Sequence, residues 1–358
     1  MNDRWLRGVF AVGVGAALMF AACSDSDDDA GSAATSQPTT AAAATTAPTQ
    51  APAPVATEAP TAAPTTAPTA APTEVPTEYP LTVRDLLGRE VTIAAAPQRI
   101  VTTSPSAIEM LYAAGGEAIA RSQTSVHPDG VSDLPSIGPS YAPAFEAIIE
   151  LGPDLVIADA SAQAHLAEAF GGALRGSAVI FIGAVGYEDV ATSIRLIGQV
   201  IDSNTTAEAS ANSMELALNE MLASSTGKTA PRVLIMNGAI NDFFVAMPGS
   251  FVGNLVDELG GVNVSEGQPQ IGRYPGYTQL SLEAIIDTDP QVILTITAGP
   301  PGGPSLADLV MDDPTFAGLA AVVNGRVHDL DLEIYLQAPG PRAADGVREL
   351  TTLLYAAE

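Results

Sequence analysis

Two stretches of the chain repeat one order of hydrophobic and polar positions. Residues 146–157 read EAIIELGPDLVI, and residues 283–294 read EAIIDTDPQVIL. In each stretch an amphipathic helical turn runs to a proline, which ends helices, and a short apolar run follows. Short apolar runs of this kind are typical of strands that are buried in a parallel sheet. The pattern predicts one helix–proline–strand unit in each half of the chain.

A second similarity precedes each of these units. The strand-like sequences QRIV at 98–101 and PRVL at 231–234 both lead into helical stretches, which end at the glycine pairs 115–116 and 260–261. Glycine suits the left-handed conformation that ends many helices. The two similarities together predict an α/β fold with two lobes of related construction.

The segment between the lobes has apolar residues at helical spacing and acidic residues at its start, where the helix dipole favours them. We predict a connecting helix over residues 188–229, between an N-terminal lobe at 81–187 and a C-terminal lobe at 230–358. Asn204-Thr205-Thr206 weakens the pattern, and marks either a kink or a division into two shorter helices.

The first residues have the order of a secretory signal. Arg4 and Arg7 precede an apolar run that is shorter than the roughly 20 residues needed to span a bilayer. The run ends in small residues directly before Cys23, which resembles the signal of a bacterial lipoprotein, where the cysteine is lipidated. We predict a signal peptide over residues 1–22 and a lipid on Cys23. The alternative is a secreted protein with an incidental cysteine.

Residues 23–80 are predicted to form a disordered linker after the lipidated cysteine. Ala, Pro and Thr dominate this segment, which contains acidic residues but no basic residue and no apolar periodicity. Such a segment cannot offset the entropy that folding removes. Repeated Ala-Pro-Thr steps favour extended conformations, so the linker separates a globular head from its anchor.

The composition argues against several functions. The 358 residues include 41 acidic and 14 basic side chains, for a net charge of −27, whereas nucleic-acid binding needs a basic patch. Cys23 is the only cysteine, so no intramolecular disulfide forms. The histidines lack the spacing of a preassembled metal site. No GxSxG elbow or Walker loop occurs, so we predict a protein that is not an enzyme and binds no nucleic acid.

Six stretches then follow one another in an order that one protein family shares. They are LTVRDLLGREVTI at 81–93, PQRIVTTSPSAIEML at 97–111, DLPSIG at 133–138, the unit at 146–157, SLEAII at 281–286 and PGPRAADGVREL at 339–350. Behind a lipoprotein leader and a spacer, they resemble the ABC-transporter solute-binding proteins of the iron-siderophore, haem and cobalamin class.

The resemblance implies a class III solute-binding protein, with two α/β lobes joined by a single long backbone helix. It implies a monomer outside the cytoplasmic membrane, held to its outer face by the lipid or free in a periplasm. The implied partners are an ABC permease dimer with a cytoplasmic ATPase. Glu146 and Glu283 match the rim glutamates that dock into permease arginines in this family. An acid near a helix start also complements the helix dipole, which is the structural alternative.

The ligand is expected between the lobes, contacted by loops at the strand ends. The candidate ligand-binding residues are Ser104, Pro105, Ser106, His127, Tyr141, Asn237, Phe243, Phe244, Tyr274, Tyr277 and Arg342. For Phe243 and Phe244 the core is an equal alternative, and for His127 it is a turn. Arg273 and Arg342 either neutralise ligand carboxylates or form salt bridges within the protein.

The resemblance gives no cofactor of the protein's own, and the expected ligand is an iron or cobalt chelate. Tyr141 matches the loop that carries an axial ligand in haem-binding relatives, and tyrosinate is a suitable ligand for ferric haem. Tyr277 stands where some cobalamin-binding relatives carry a stacking tryptophan. We therefore place haem and ferric siderophores before cobalamin. The alternative class is a metal-dependent enzyme, chelatase-like or hydrolase-like, on a similar two-lobed scaffold.

Overall fold

The computed structural model describes residues 76–239, 242–271, 275–299 and 302–356. The predicted signal peptide, the predicted lipidation site Cys23 and all but the end of the predicted linker lie outside these residues.

The first lobe contains a parallel sheet in the strand order β3-β4-β5. Its central strand reads LVIAD and is buried along its whole length, as expected of a strand covered on both faces. A separate antiparallel hairpin pairs β1 with β2, with Leu81 opposite Ile93. The strands are β1 (Leu81–Arg84), β2 (Glu90–Ile93), β3 (Ile100–Thr102), β4 (Leu155–Asp159) and β5 (Ala178–Ile182). The helices are α1 (Pro105–Ala113), α2 (Phe145–Leu151), α3 (Ala160–Gln163) and α4 (Ala167–Ala173).

Two helices follow the first lobe, where the sequence predicted one connecting helix over 188–229. They are α5 (Tyr187–Val200) and α6 (Asn204–Ser225). Asp202 has a φ of 59°, and this left-handed residue reverses the chain. The helices therefore lie antiparallel, with Arg195 of α5 bonded to Glu208 and Glu215 of α6. The division falls beside Asn204-Thr205-Thr206, where the apolar pattern weakens.

The second lobe has a larger sheet, in which β6 and β10 are central strands. The order is β11-β10-β6-β7-β9, and β8 also pairs with β6. β10 is parallel to β6 and to β11, whereas β7 is antiparallel to β6. The strands are β6 (Arg232–Ala239), β7 (Asp242–Ala246), β8 (Val262–Asn263), β9 (Tyr277–Thr278), β10 (Val292–Thr297) and β11 (Val327–Asp329). The helices are α7 (Phe251–Glu258), α8 (Leu282–Thr288), α9 (Leu306–Asp312), α10 (Ala320–Val323) and α11 (Ala343–Leu354).

The two lobes repeat one plan, as the paired sequences predicted. The stretch at 146–157 forms α2 from its second residue and then most of β4, and the stretch at 283–294 forms α8 from its second residue and then the start of β10. Gly115 after α1 and Gly260 after α7 both have left-handed φ angles, of 87° and 84°. A side chain there would be strained, so glycine ends both helices.

Alternate strand residues face two different cores. Leu155 of β4 and Val233 of β6 join one apolar cluster that continues from the first lobe through α5 and α6 into the second. Val156 and Leu234, one residue further along, instead belong to two smaller clusters, each confined to one lobe. Successive strand side chains point to opposite faces. One face of each sheet therefore packs on the cluster that both lobes share, and the other face packs on the cluster of its own lobe. The predicted α/β fold with two lobes is confirmed, while the residue limits 81–187, 188–229 and 230–358 stay predictions.

Candidate functional site

The predicted ligand residues of the first lobe begin where β3 ends. Ser104 caps α1, since its Oγ accepts a hydrogen bond from the Ala107 amide at 3.1 Å. Pro105 occupies the first turn, where its missing N–H costs nothing. Ser104, Pro105 and Ser106 are all buried. The three residues therefore lie in the interior of the first lobe, beneath this edge of the sheet.

A buried polar network at the same edge was not predicted. Asp159 ends β4 and caps α3, accepting from the Ser161 and Ala162 amides. Burial raises the pKa of its carboxyl, while these amides and the hydroxyls of Ser104 and Ser106 act against that rise. The signal in the sequence is an acid that directly follows a buried apolar strand.

Gln163 fixes the loops beside Asp159. It is fully buried, and its Oε1 accepts from the Thr103 hydroxyl at 2.6 Å and from the Asp159 amide at 2.9 Å. Its Nε2 donates to the carbonyls of Thr103 and Ser140. Tyr141 follows Ser140 directly and is 76% exposed. The network thus holds the base of a loop that presents a phenol to solvent.

A pocket of 270 Å³ lies in the second lobe. We call it the second-lobe pocket, and it is lined by Asn237, Gly238, Phe244, Tyr277, Ala298 and Leu336. Burial raises the pKa of Tyr277 to about 12, so this phenol stays protonated at physiological pH. Three of the predicted ligand residues, Asn237, Phe244 and Tyr277, come together here.

Neighbouring phenylalanines of β7 have different surroundings. Phe244 lines the second-lobe pocket, whereas Phe243 packs against Leu234 and Met236 in the apolar cluster that is confined to the second lobe. This difference follows from the alternation of side chains along a strand. The alternative of core or cleft is therefore resolved differently for the two residues.

A second cavity, of 510 Å³, is lined by residues of both lobes. We call it the interlobe cavity, and its lining includes Glu109, Tyr112, His127, Pro128, Pro341 and Arg342. Arg342 donates to Glu109 through Nε at 3.0 Å and through Nη2 at 2.7 Å. Its Nη2 also donates to Glu333 at 3.2 Å. Of the two possibilities for Arg342, the structure shows the salt bridge.

His127 extends this network from the first lobe. Its Nε2 lies 3.3 Å from Oε2 of Glu333. Glu333 begins a π-helical turn, Glu333–Gln337, which also carries Leu336 of the second-lobe pocket. One turn of the second lobe therefore contacts the first lobe and lines the second-lobe pocket.

The predicted docking glutamates occupy equivalent places in the two lobes. Glu146 and Glu283 are exposed, each at the second residue of its helix, α2 or α8. Hydrogen bonds from its own backbone amide and from Ser281 lower the pKa of Glu283. The two carboxylates are therefore presented on matching helix starts.

Matching arginines hold the other ends of these helices. Arg99 donates to the carbonyls of Gly152 and Leu151, at the end of α2. Arg232 donates to those of Asp289 and Thr288, at the end of α8. Cations are favourable at helix C-termini. In both lobes, therefore, an arginine fixes the C-terminal end of the helix whose start carries the rim glutamate. These arginines stand in the paired sequences QRIV and PRVL, which is the signal that could have found them.

Two of the candidate residues, Arg273 and Tyr274, lie outside the part of the chain that the structure describes. Within the described ranges, no three His, Cys, Asp or Glu side chains are grouped so that they could hold a metal ion. Among the same residues, no helix combines the length and apolarity needed to cross a membrane.

Comparison with known proteins agrees with this architecture. The profile of a family described as periplasmic binding protein matches residues 100–333. The ABC transporter substrate-binding lipoprotein YvrC of Bacillus subtilis is 27% identical over 77% of this chain and 85% of its own. A cobalamin-binding protein of Halobacterium salinarum is 25% identical over 77% of this chain and 74% of its own. A periplasmic heme binding protein from Pseudomonas aeruginosa has a TM-score of 0.60 at 25% identity, covering 73% of this chain and 94% of its own.

Two related α/β lobes with a cavity between them define a solute-binding protein of the kind that serves ABC importers. The family match extends over more than half of the chain, from β3 to the turn that holds Glu333. The chain belongs to the periplasmic binding protein family.

Proposed function

We propose that this protein captures a corrinoid such as cobalamin between its lobes and delivers it to the permease of an ABC importer. Its similarity to a cobalamin-binding protein supports a ligand of this class. The protein is further proposed to act outside the cytoplasmic membrane, held there by a lipid on Cys23. A Cys23→Ser variant should then leave the membrane fraction, and its retention there would contradict the anchor.

The observation that carries the corrinoid proposal is that Arg342 is already paired with carboxylates of the protein. Haem and many ferric siderophores are anionic, and arginine is the residue that binds carboxylates through two parallel hydrogen bonds. Arg342 is already shared by Glu109 and Glu333. The second-lobe pocket offers instead the aromatic rings of Phe244 and Tyr277 and the amide of Asn237. A corrin ring, with an apolar face and uncharged carboxamides at its edge, complements such a surface.

Haem is the second candidate, and one residue favours it. The phenol of Tyr141 is 76% exposed on a loop with a fixed base, and tyrosinate ligates ferric haem in other proteins.

Parallel titrations of the full chain distinguish these ligands. Calorimetry with cyanocobalamin should show saturable binding of one ligand per chain, unchanged in Tyr141→Phe. Absorbance titration with hemin should show no saturable Soret shift. A saturable Soret shift that Tyr141→Phe alters, together with no cyanocobalamin binding, would establish haem and overturn the corrinoid proposal.

Delivery is proposed to use Glu146 and Glu283. Charges at the rim of an interface mainly set orientation and association rate. Cells that produce a Glu146→Gln/Glu283→Gln variant should therefore take up less radiolabelled cyanocobalamin, while the purified variant keeps its affinity. The matched control is Glu150→Gln/Asp287→Asn, which removes two exposed charges one helical turn further along α2 and α8. Equal losses of uptake in both variants would mean that total charge, rather than these two positions, matters.

A further inference from the structure

Asn237 has an unsatisfied hydrogen-bond acceptor in the second-lobe pocket. The residue lies on β6, is 7% exposed and lines the pocket. Its Oδ1 is buried and has no hydrogen-bond partner among the residues that the structure describes. Buried polar groups in proteins are nearly always paired, so such a group calls for an explanation.

Asn263 of the same sheet shows what a structural asparagine looks like. It is 2% exposed, and its Nδ2 donates to the Ala246 carbonyl at 3.1 Å. Its Oδ1 accepts from both the amide and the hydroxyl of Ser265. The side chain of Asn263 therefore fixes a loop, whereas Oδ1 of Asn237 meets no donor among the described residues.

The residues around Asn237 limit which chemical group of a ligand can pair with its Oδ1. The largest other side chains of the pocket wall are those of Phe244, Tyr277 and Leu336, and the small residues Gly238 and Ala298 complete it. A complementary ligand therefore has an apolar body with a hydrogen-bond donor at its edge. A carboxylate offers only acceptors at neutral pH, whereas a primary carboxamide offers donors and an acceptor and matches both halves of an asparagine amide.

We infer that Asn237 forms a subsite for a primary carboxamide at the edge of the ligand. This inference rests on the proposed corrinoid function, and it names the part of the second lobe that selects an amide over an acid. Phe244 and Tyr277 contact the apolar face next to that amide.

The test compares cyanocobalamin with its three monocarboxylic acids, in which one propionamide is hydrolysed to a carboxylate. At pH 7 the full-length wild-type chain should bind one of these acids roughly tenfold or more weakly than cyanocobalamin, because an amide–amide pair is lost and an acceptor faces an acceptor. Asn237→Leu should bind cyanocobalamin more weakly by a similar factor and should no longer distinguish that acid. The selectivity of wild type and its loss in the variant together identify the subsite.

A stability measurement separates this role from a structural one. Asn237→Leu removes a buried oxygen that has no partner among the described residues, so the melting temperature of the variant should equal or exceed that of wild type. A large fall in melting temperature would show that Asn237 holds the sheet together, and would overturn the inference. Cyanocobalamin binding without selectivity among the acids in wild type overturns the subsite alone, whereas absence of cyanocobalamin binding overturns the proposed ligand as well.

Discussion

Nη2 of Arg342 lies 2.7 Å from Oε1 of Glu109, a residue 233 positions earlier in the chain. Nε of the same arginine lies 3.0 Å from Oε2, so the pair is bidentate, the strongest geometry for this interaction. Glu109 belongs to α1 of the first lobe and is 6% exposed, while Arg342 precedes α11 of the second. The pair therefore connects the lobes at the wall of the interlobe cavity, with Glu109 buried and Arg342 partly exposed.

Arg342→Met should destabilise the protein by about 3 kcal/mol, because it leaves the carboxylate of Glu109 buried without its cation. Glu109→Leu/Arg342→Met should lose less than Arg342→Met alone, since an apolar pair leaves no buried charge. Urea unfolding followed by circular dichroism measures these two variants and the single variant Glu109→Leu. A double variant as unstable as the sum of the two single variants would show that the two side chains are not coupled.

Arg99 and Arg232 bond the ends of α2 and α8 in the same way, so we expect the loss of either arginine to destabilise the protein equally. Arg99→Met and Arg232→Met each remove bonds to two helix-terminal carbonyls, and each should lower the free energy of unfolding by about 1 kcal/mol. Arg175→Met is the control, because this exposed side chain makes one longer bond, of 3.3 Å, to Gly172. Unchanged stability in Arg99→Met and Arg232→Met would show that water replaces the arginines without loss.

Gly198 sets the distance between α5 and α6. A Cβ at this position would lie close enough to the Cβ of Ala207 to overlap it. Gly198→Ala should therefore cost about 2 kcal/mol, as overpacking of a core does. Gly171→Ala places the same methyl group in α4 with no atom within 4 Å, and should stabilise the protein by about 0.5 kcal/mol. Thermal unfolding of the two variants should therefore move in opposite directions.

Asp257 gives the stability a dependence on pH. Partial burial, together with the charges of Glu266 and Glu258, raises the pKa of Asp257 from 3.8 to about 6. The native state then holds a proton between pH 4 and 6 that the unfolded state has released, so stability falls as pH rises through this range. Asp257→Asn should raise the melting temperature at pH 7 and leave it unchanged at pH 3.5. An equal rise at both pH values would contradict titration of this group.

Local patterns in the sequence were sufficient to predict the repeated units. The apolar runs and prolines near 153 and 290 predicted α2 with β4 and α8 with β10, because those signals act within a few residues. The turn at Asp202 was predicted less well. Its effect depends on α6 packing back against α5, a tertiary interaction that the break at Asn204 only suggested.

The site depended on contacts that sequence patterns do not carry. The hydroxyl of Ser104 acts on the pKa of Asp159 because two strands end at one edge, and Glu109 meets Arg342 only when both lobes are in place. Residues 243 and 244 are both phenylalanine, so only the orientation of β7 decides which side chain packs in the core and which lines the pocket. That Oδ1 of Asn237 has no partner among the described residues depends on the three-dimensional arrangement of β6 and its neighbours, which no local pattern encodes.

The chain passes from the sheet of the first lobe to that of the second once within the described residues, through α5 and α6. All strands of the first sheet therefore come from one continuous stretch of chain that is synthesised before any strand of the second. Domains generally fold as units, with the N-terminal one first. The first lobe can thus assemble while the second is still being made, and Glu109 acquires its partner only when residue 342 has been added. A chain truncated before that point contains a finished first sheet and a buried carboxylate that still lacks its arginine.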